Sequence, residues 1–228
     1  MKDTTKAKLW IIVYFLLLLV PLVLLFVAPR PTGREFWREF AVGLGFAGLS
    51  LIGLQFLLPA RLPFLLKAFR LSRLNHFHHN LSIIGLTLII AHAVVLILNN
   101  PRLLRSLISV SAARPTWWGV ISLLAMIVVV VTSLWKGEVN LGHQPWRVIH
   151  TFTSVLAIAL ALLHIFGVRY YLGILAHRIL WIVLAITWGA GVIVYFRRAN
   201  MAQAVDTVVQ DLAARVTNSI QKETADEV

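Results

Sequence analysis

The chain has 228 residues, of which 59% are hydrophobic and only 13% charged, and its mean hydropathy is +0.84. These values lie far from those of soluble domains and indicate a protein embedded in a lipid bilayer. The net charge is +12, but the basic residues stand at the edges of apolar runs, so we expect contacts with lipid headgroups and no nucleic acid. The absence of cysteine excludes disulfides, iron–sulfur clusters and covalently attached haem.

Six apolar runs, taken in chain order, predict six transmembrane helices. They cover about residues 9–27, 40–58, 77–98, 117–134, 148–167 and 172–196. The first run is too long for the apolar region of a signal peptide and is followed by no small-residue cleavage site, so it counts as a span. The predicted fold is an all-α membrane protein, a six-transmembrane-helix bundle within residues 1–199.

Two further segments carry apolar residues at helical spacing. The segment from Arg102 to Arg114 does so between the third and fourth spans and is expected to lie in the membrane interface. Residues 200–228 have the same periodicity, which predicts an amphipathic tail in the cytoplasm.

The distribution of basic residues predicts the orientation. Six spans place both termini on one side, and before Met201 that side carries eleven Lys and Arg residues against eight on the other. The loop between the second and third spans is the most basic and contains no acidic residue; its cations are Arg61, Lys67, Arg70 and Arg73. Because basic loops stay inside, we expect a plasma membrane protein, in bacteria an inner membrane protein, with both termini cytoplasmic.

Two histidine pairs with equal spacing are the strongest chemical signal. His78 and His92 are fourteen residues apart on the third span, and His150 and His164 are fourteen apart on the fifth. Fourteen residues make just under four turns, so both imidazoles of a pair project from one helix face, roughly 21 Å apart along the axis. Two such helices can bind a flat cofactor at each of two depths. The obvious candidate is haem, ligated by one histidine from each helix.

Other histidines compete with this assignment. His79 is the rival of His78, but it points about 100° away from the shared face. It also lacks the serine that follows His78 and His150 four residues on. His76 and His143 are expected in loops, facing water or headgroups. A zinc site within His76–His79 is a weak pattern because no cysteine or carboxylate accompanies it.

His177 and Arg178 form an ionisable pair early in the sixth span. Such a pair inside a membrane is a functional candidate by default, here near a haem on the extracytoplasmic side. The alternative is an interfacial pair, with the span beginning later.

The sequence resembles the ferric reductase-like transmembrane domain shared by ferric reductases and NADPH oxidases. The resemblance covers about residues 40–196. Three motifs carry it: His78-x3-Ser82-x9-His92, a helix led by Gly119 and ending in Thr132-Ser133, and Trp146–His150 followed by His164.

This resemblance implies a bundle with two b-type haems. Single electrons would pass from a cytosolic flavin, reduced by NAD(P)H, to an extracytoplasmic acceptor, ferric iron or oxygen. His78 and His150 would ligate the inner haem iron, and His92 and His164 the outer one.

Several arginines are placed to meet haem propionates, although each is equally explained as a headgroup anchor. The candidates are Arg70, Arg73 and Arg147 at the inner haem, and Arg38, Arg102 or Arg169 at the outer haem.

The sequence departs from the family in two respects. Some NADPH oxidases carry a histidine four residues after the outer ligand of the third span, where this chain has Leu96, which puts superoxide production in doubt. The sequence also contains no Gly-rich dinucleotide fingerprint. FAD and NAD(P)H are therefore expected on a cytosolic flavin reductase subunit or on a missing domain. Val216, Ile220 and Val228 also look similar to the opening strand of the flavin barrel in enzymes that carry such a domain.

Two other functions stay open from the sequence. One is a haem subunit similar to the membrane partner of periplasmic methionine-sulfoxide reductases, reduced by a separate reductase or by quinol. The other is a transporter or scaffold whose histidines have no redox role.

Overall fold

A computed structural model of the chain describes residues 2–27, 35–58, 69–138 and 142–226, and the structural statements below refer to these ranges. Parts of the predicted loops, with Arg34, Arg61 and Lys67, lie outside the described residues, as does the side chain of His143.

The described chain is helical, and six of its seven α-helices are long and apolar enough to cross a membrane. This agrees with the six spans expected from the sequence. The α-helices are α1 (Lys2–Val27), α2 (Phe36–Leu54), α3 (Leu71–Asn99), α4 (Pro101–Ile108), α5 (Arg114–Leu134), α6 (His143–Val168) and α7 (Leu175–Asp226), and short 3-10 helices occupy Gln55–Leu57 and Tyr170–Leu172.

The helix ends differ from the apolar runs. α3 begins at Leu71 and α6 at His143, several residues before the runs at 77 and 148, because polar residues continue a helix without adding to hydropathy. Pro145 is compatible with the first turn of α6, where a missing amide proton costs nothing. α7 continues beyond its apolar part, without a break, through residues 201–226.

Small residues bring the helices together in two pairs. In the first pair, α2 packs on α3 so closely that a β-carbon on Gly48 would stand 2.9 Å from the carbonyl oxygen of Gly85. In the second, α5 packs on α6, and the buried Ser122 hydroxyl donates to the Ala157 carbonyl oxygen at 2.7 Å. Close backbone approach of this kind drives helix association in lipid, where apolar burial gives little.

The remaining long helices pack around α2. Leu22 and Leu25 of α1 lie 3.8 Å from where a β-carbon of Gly43 would be. The Trp188 indole of α7 lies against Gly53 and leaves no room for a side chain there. α3 and α6 each pack mainly on their own partner, α2 or α5, and far less on each other. The two helices that carry the paired histidines are therefore each packed on a different helix, α3 on α2 and α6 on α5.

Candidate cofactor site between the helix pairs

The histidines of α3 and α6 face each other at two levels. We call His78 and His150 the inner pair and His92 and His164 the outer pair, after the predicted orientation. The ring centres of the inner pair are 6.2 Å apart. His92 and His164 each lie fourteen residues further along their helix, at the other level.

In the outer pair, each imidazole donates to a backbone carbonyl of the supporting helix. Nδ1 of His92 lies 2.7 Å from the carbonyl oxygen of Ala41 on α2, and Nδ1 of His164 lies 2.7 Å from that of Pro115 on α5. A carbonyl oxygen can only accept, so Nδ1 carries the proton in both rings. Nε2 is then left with a free lone pair, which is the form that binds a metal.

A glycine makes each of these contacts possible. Gly45 follows Ala41 by four residues, and Gly119 follows Pro115 by four, so each stands one turn further along on the same helix face. A β-carbon on Gly45 would lie 2.8 Å from Nδ1 of His92, and one on Gly119 would lie 2.8 Å from Nδ1 of His164. Any side chain at either position would therefore occupy the place of the imidazole.

The inner pair is supported differently. Nδ1 of His150 lies 3.0 Å from the hydroxyl oxygen of Ser133 on α5. The Trp146 ring lies on the same imidazole, with ring centres 5.0 Å apart and planes at 32°. Nδ1 of His78 is buried and has no hydrogen-bond partner among the described residues. The two inner imidazoles are therefore held unequally.

His78 rather than His79 faces the opposite helix. His78 is half-buried and its ring meets that of His150, whereas His79 is exposed. The serines after the two inner histidines bond in the same way, since Ser82 and Ser154 donate to the backbone carbonyls of His78 and His150 at 2.6 and 2.7 Å.

These residues fit haem better than a bare metal ion. No group of three or more His, Cys, Asp or Glu side chains suited to a metal ion occurs in the described ranges, so the zinc alternative near His76 has no support. Haem brings its own four nitrogens and needs only two axial ligands. Imidazole nitrogens about 2 Å from a shared metal place two ring centres about 6 Å apart, which agrees with the 6.2 Å of the inner pair.

The candidate arginines divide between the two ends of the bundle. Arg70 precedes α3, Arg73 lies in its first turn, and the Arg147 guanidinium lies over the Tyr195 ring at 5.7 Å from its centre. These three are at the inner end. At the other end, Arg38 lies in the first turn of α2 and Arg102 in that of α4, while Arg169 follows α6 in a left-handed conformation with φ of 56°.

Arg169 also lines a cavity of about 270 Å³ with Arg178, Phe166 and Leu172. The Arg178 Nε donates to the Leu172 carbonyl oxygen.

His177 and Arg178 point to different surroundings. Arg178 is exposed at the cavity, whereas His177 is only 1% exposed and packs against Phe46, with ring centres 6.0 Å apart. Neither ring nitrogen of His177 forms a hydrogen bond with a described residue, although the Pro21 backbone lies near. This histidine thus belongs to the contact between α7 and α2.

The sequence alone does not show that these supporting residues contact the histidines. Gly119 and Ser133 were part of the recognised motifs, but Ala41, Gly45 and Pro115 were not. A backbone carbonyl that accepts a hydrogen bond cannot be recognised from the type of its side chain. The sequence feature that accompanies each carbonyl is a glycine four residues later, on the helix that packs against the histidine helix.

A family model described as ferric reductase like transmembrane component matches residues 44–161. The chain belongs to this family. The match includes His78, His92 and His150 and stops three residues before His164, whose contacts with Pro115 and Gly119 nevertheless repeat those of His92 with Ala41 and Gly45. Searches of curated proteins and of solved structures gave no match. The ferric reductase-like membership indicates an oxidoreductase membrane component and transmembrane electron transfer.

Proposed function

We propose that this ferric reductase-like component binds two b-type haems and conducts single electrons through them across the membrane. The observation that carries the proposal is the pairing of histidines at two levels on α3 and α6, with Nδ1–H of both outer imidazoles bonded to a carbonyl. Bound haem supplies reversible one-electron exchange between ferric and ferrous iron. The ligands are His78 and His150 at the inner haem, and His92 and His164 at the outer haem.

The chain itself contributes rigid, apolar surroundings for that exchange. One imidazole from α3 and one from α6 would hold each haem iron, and a haem held in this way would relay electrons instead of binding a substrate. The carbonyls of Ala41 and Pro115 orient the outer rings and raise the basicity of the ligating nitrogen. Because α2 and α5 hold these carbonyls by close packing, they would keep the outer imidazoles in place during electron exchange.

The arginines at each end suit the propionates, which are the charged part of haem. Arg70, Arg73 and Arg147 are proposed for the inner haem, and Arg38 and Arg169 for the outer one. A cytosolic flavin reductase domain or subunit, with FAD and NAD(P)H, supplies the electrons. An extracytoplasmic acceptor, ferric iron or oxygen, receives them.

Reduced-minus-oxidised spectra of the purified protein test the cofactors. We expect the spectrum of low-spin bis-histidine haem and a haem-to-protein ratio of two. A protein that binds no haem, or binds it in high-spin form, contradicts the proposal.

The electron donor is tested separately under anaerobic conditions. Dithionite is expected to reduce both haems directly, whereas NADPH with free flavin reduces them only when a reductase partner is present. Basic residues at the inner end offer that partner an electrostatic docking surface, so its rate should fall as salt rises. Rapid reduction by NADPH and flavin alone contradicts this part.

A further inference from the structure

The Ser133 hydroxyl makes two contacts that together determine where its proton lies. Oγ is 2.6 Å from the carbonyl oxygen of Val129 and 3.0 Å from Nδ1 of His150. A hydroxyl has one proton, and a carbonyl oxygen can only accept. The proton therefore points to Val129, and Oγ presents only lone pairs to His150. For this contact to be a hydrogen bond, Nδ1 of His150 must be protonated.

We infer that Ser133 is a positioning residue that holds His150 in the tautomer with the proton on Nδ1 and the lone pair on Nε2. Its effect on a bound haem rests on the proposed function, but the tautomer itself does not. Ser133 acts through His150 and needs no contact with a cofactor. When a histidine binds a metal through one ring nitrogen, a hydrogen bond at its second nitrogen orients the ring and raises the basicity of the ligating nitrogen.

Bonding to a carbonyl one turn back is common for hydroxyls within helices and would not by itself distinguish Ser133. Thr132, Ser82 and Ser154 make the same kind of bond. Among these four residues, Ser133 alone also meets an imidazole ring. Its position in the last turn of α5 places it opposite the second turn of α6, where His150 lies.

The His150 ring is constrained from two directions. The Trp146 ring packs against the imidazole with ring centres 5.0 Å apart, while Ser133 meets its Nδ1 edge. The contact with Trp146 restricts the movement of the ring but does not distinguish one nitrogen from the other. The hydroxyl supplies that distinction, so its removal should leave the ring in place with its tautomer free.

The neighbouring hydroxyls provide matched controls. Thr132 is adjacent in sequence, and its hydroxyl bonds only to the carbonyls of Val128 and Val129. Ser154 bonds the backbone carbonyl of His150 and not its ring. Thr132→Ala and Ser154→Ala thus each remove a hydroxyl from the same region without touching Nδ1, while Ser133→Thr keeps the hydroxyl.

Nitrogen NMR of purified full-length protein with labelled histidine reads the tautomer once any haem has been removed, because an iron bound to Nε2 would by itself keep the proton on Nδ1. His150→Gln identifies the signal of His150. We expect that signal to show protonated Nδ1 in the wild type and in Ser133→Thr, Thr132→Ala and Ser154→Ala, and a mixture of tautomers in Ser133→Ala. An Nε2-protonated wild type, or an unchanged signal in Ser133→Ala, overturns the inference. This measurement holds even if no haem is found, an outcome that would defeat the proposed function alone.

Redox titration of the haem-loaded protein gives the second readout. Loss of the hydrogen bond weakens the donation from His150 that favours ferric iron, so one of the two midpoint potentials should shift to a more positive value in Ser133→Ala. Ser133→Thr should restore it, and the two control variants should match the wild type. If Ser133→Ala loses one haem and Ser133→Thr keeps it, the inference is also supported. Equal effects in Thr132→Ala, or loss of haem in both Ser133 variants, overturn it.

Discussion

Gly119 of α5 lies directly against the imidazole of His164 on α6, so that a β-carbon at position 119 would stand 2.8 Å from Nδ1. Real β-carbons essentially never approach this closely. The glycine leaves the carbonyl of Pro115, one turn back, open to the ring. Alanine is usually well tolerated within a helix, but at position 119 only glycine leaves room for the imidazole.

Gly119→Ala is expected to displace His164 from the Pro115 carbonyl and to cost most of the outer haem while the inner haem remains. The haem-to-protein ratio should fall from two towards one. Gly45→Ala should act in the same way through His92. Gly189→Ala is the control, because a β-carbon there meets nothing within 4 Å. Full haem content in Gly119→Ala would show that the ring can move aside without losing its ligand role.

Replacing the histidines one at a time tests the two levels. His92→Ala or His164→Ala should remove the outer haem and leave most of the inner one, and His150→Ala should do the reverse. Haem content and the low-spin electron paramagnetic resonance signals measure the outcome. If haem content and spectrum are unchanged in one of these variants, that residue is not a ligand.

A comparison of two alanine variants decides whether His78 or His79 is the haem ligand. His78 faces His150 with ring centres 6.2 Å apart, whereas His79 is exposed, so only His78→Ala should cost a haem. His79→Ala serves as the matched control one residue away. Loss of haem in His79→Ala with retention in His78→Ala would reverse the assignment.

The histidine levels could be predicted from the sequence because helical periodicity relates residues on one helix. His78 and His92 share a face of α3 whatever surrounds it. The supports of these rings could not be predicted, because they depend on which helix packs beside which. The carbonyls of Ala41 and Pro115 carry no side-chain signature, and the contact of Ser133 with His150 needs the register between α5 and α6.

Hydropathy also does not predict the polar ends of the helices. The first two turns of α3 contain Arg73, Asn75 and His76, which add no apolar signal although the backbone is helical there. His177 shows the converse limit. An ionisable residue within a span suggests function, but the structure buries His177 against Phe46. This burial cannot be predicted from the residue type.

His177→Phe tests whether His177 serves packing alone. Because neither ring nitrogen hydrogen-bonds with a described residue, an aromatic ring of similar shape should preserve haem content and thermal stability. His177→Ala should lower the free energy of unfolding, because it leaves a cavity between the packed helices. Detergent unfolding and haem spectra measure both variants. Slower reoxidation of dithionite-reduced His177→Phe, with haem content intact, would instead give this residue a functional role.

The orientation of the bundle decides which haem receives electrons first. The chain has no cysteine, so a single introduced cysteine reports its own side without background. Ser72 and Ser111 are both exposed, the first in the opening turn of α3 near the inner histidines and the second in the connection between α4 and α5.

With an impermeant thiol reagent on intact cells, Ser111→Cys should be labelled, and Ser72→Cys should react only after the cells are permeabilised. The reason is the excess of basic residues on the side that contains Arg70 and Arg73, because loops rich in Lys and Arg stay in the cytoplasm. The unmodified chain, which should remain unlabelled, is the control. Labelling of Ser72→Cys from outside would exchange the inner and outer pairs. His92 and His164 would then face the flavin donor, and the arginines near Arg147 could not receive a cytosolic reductase.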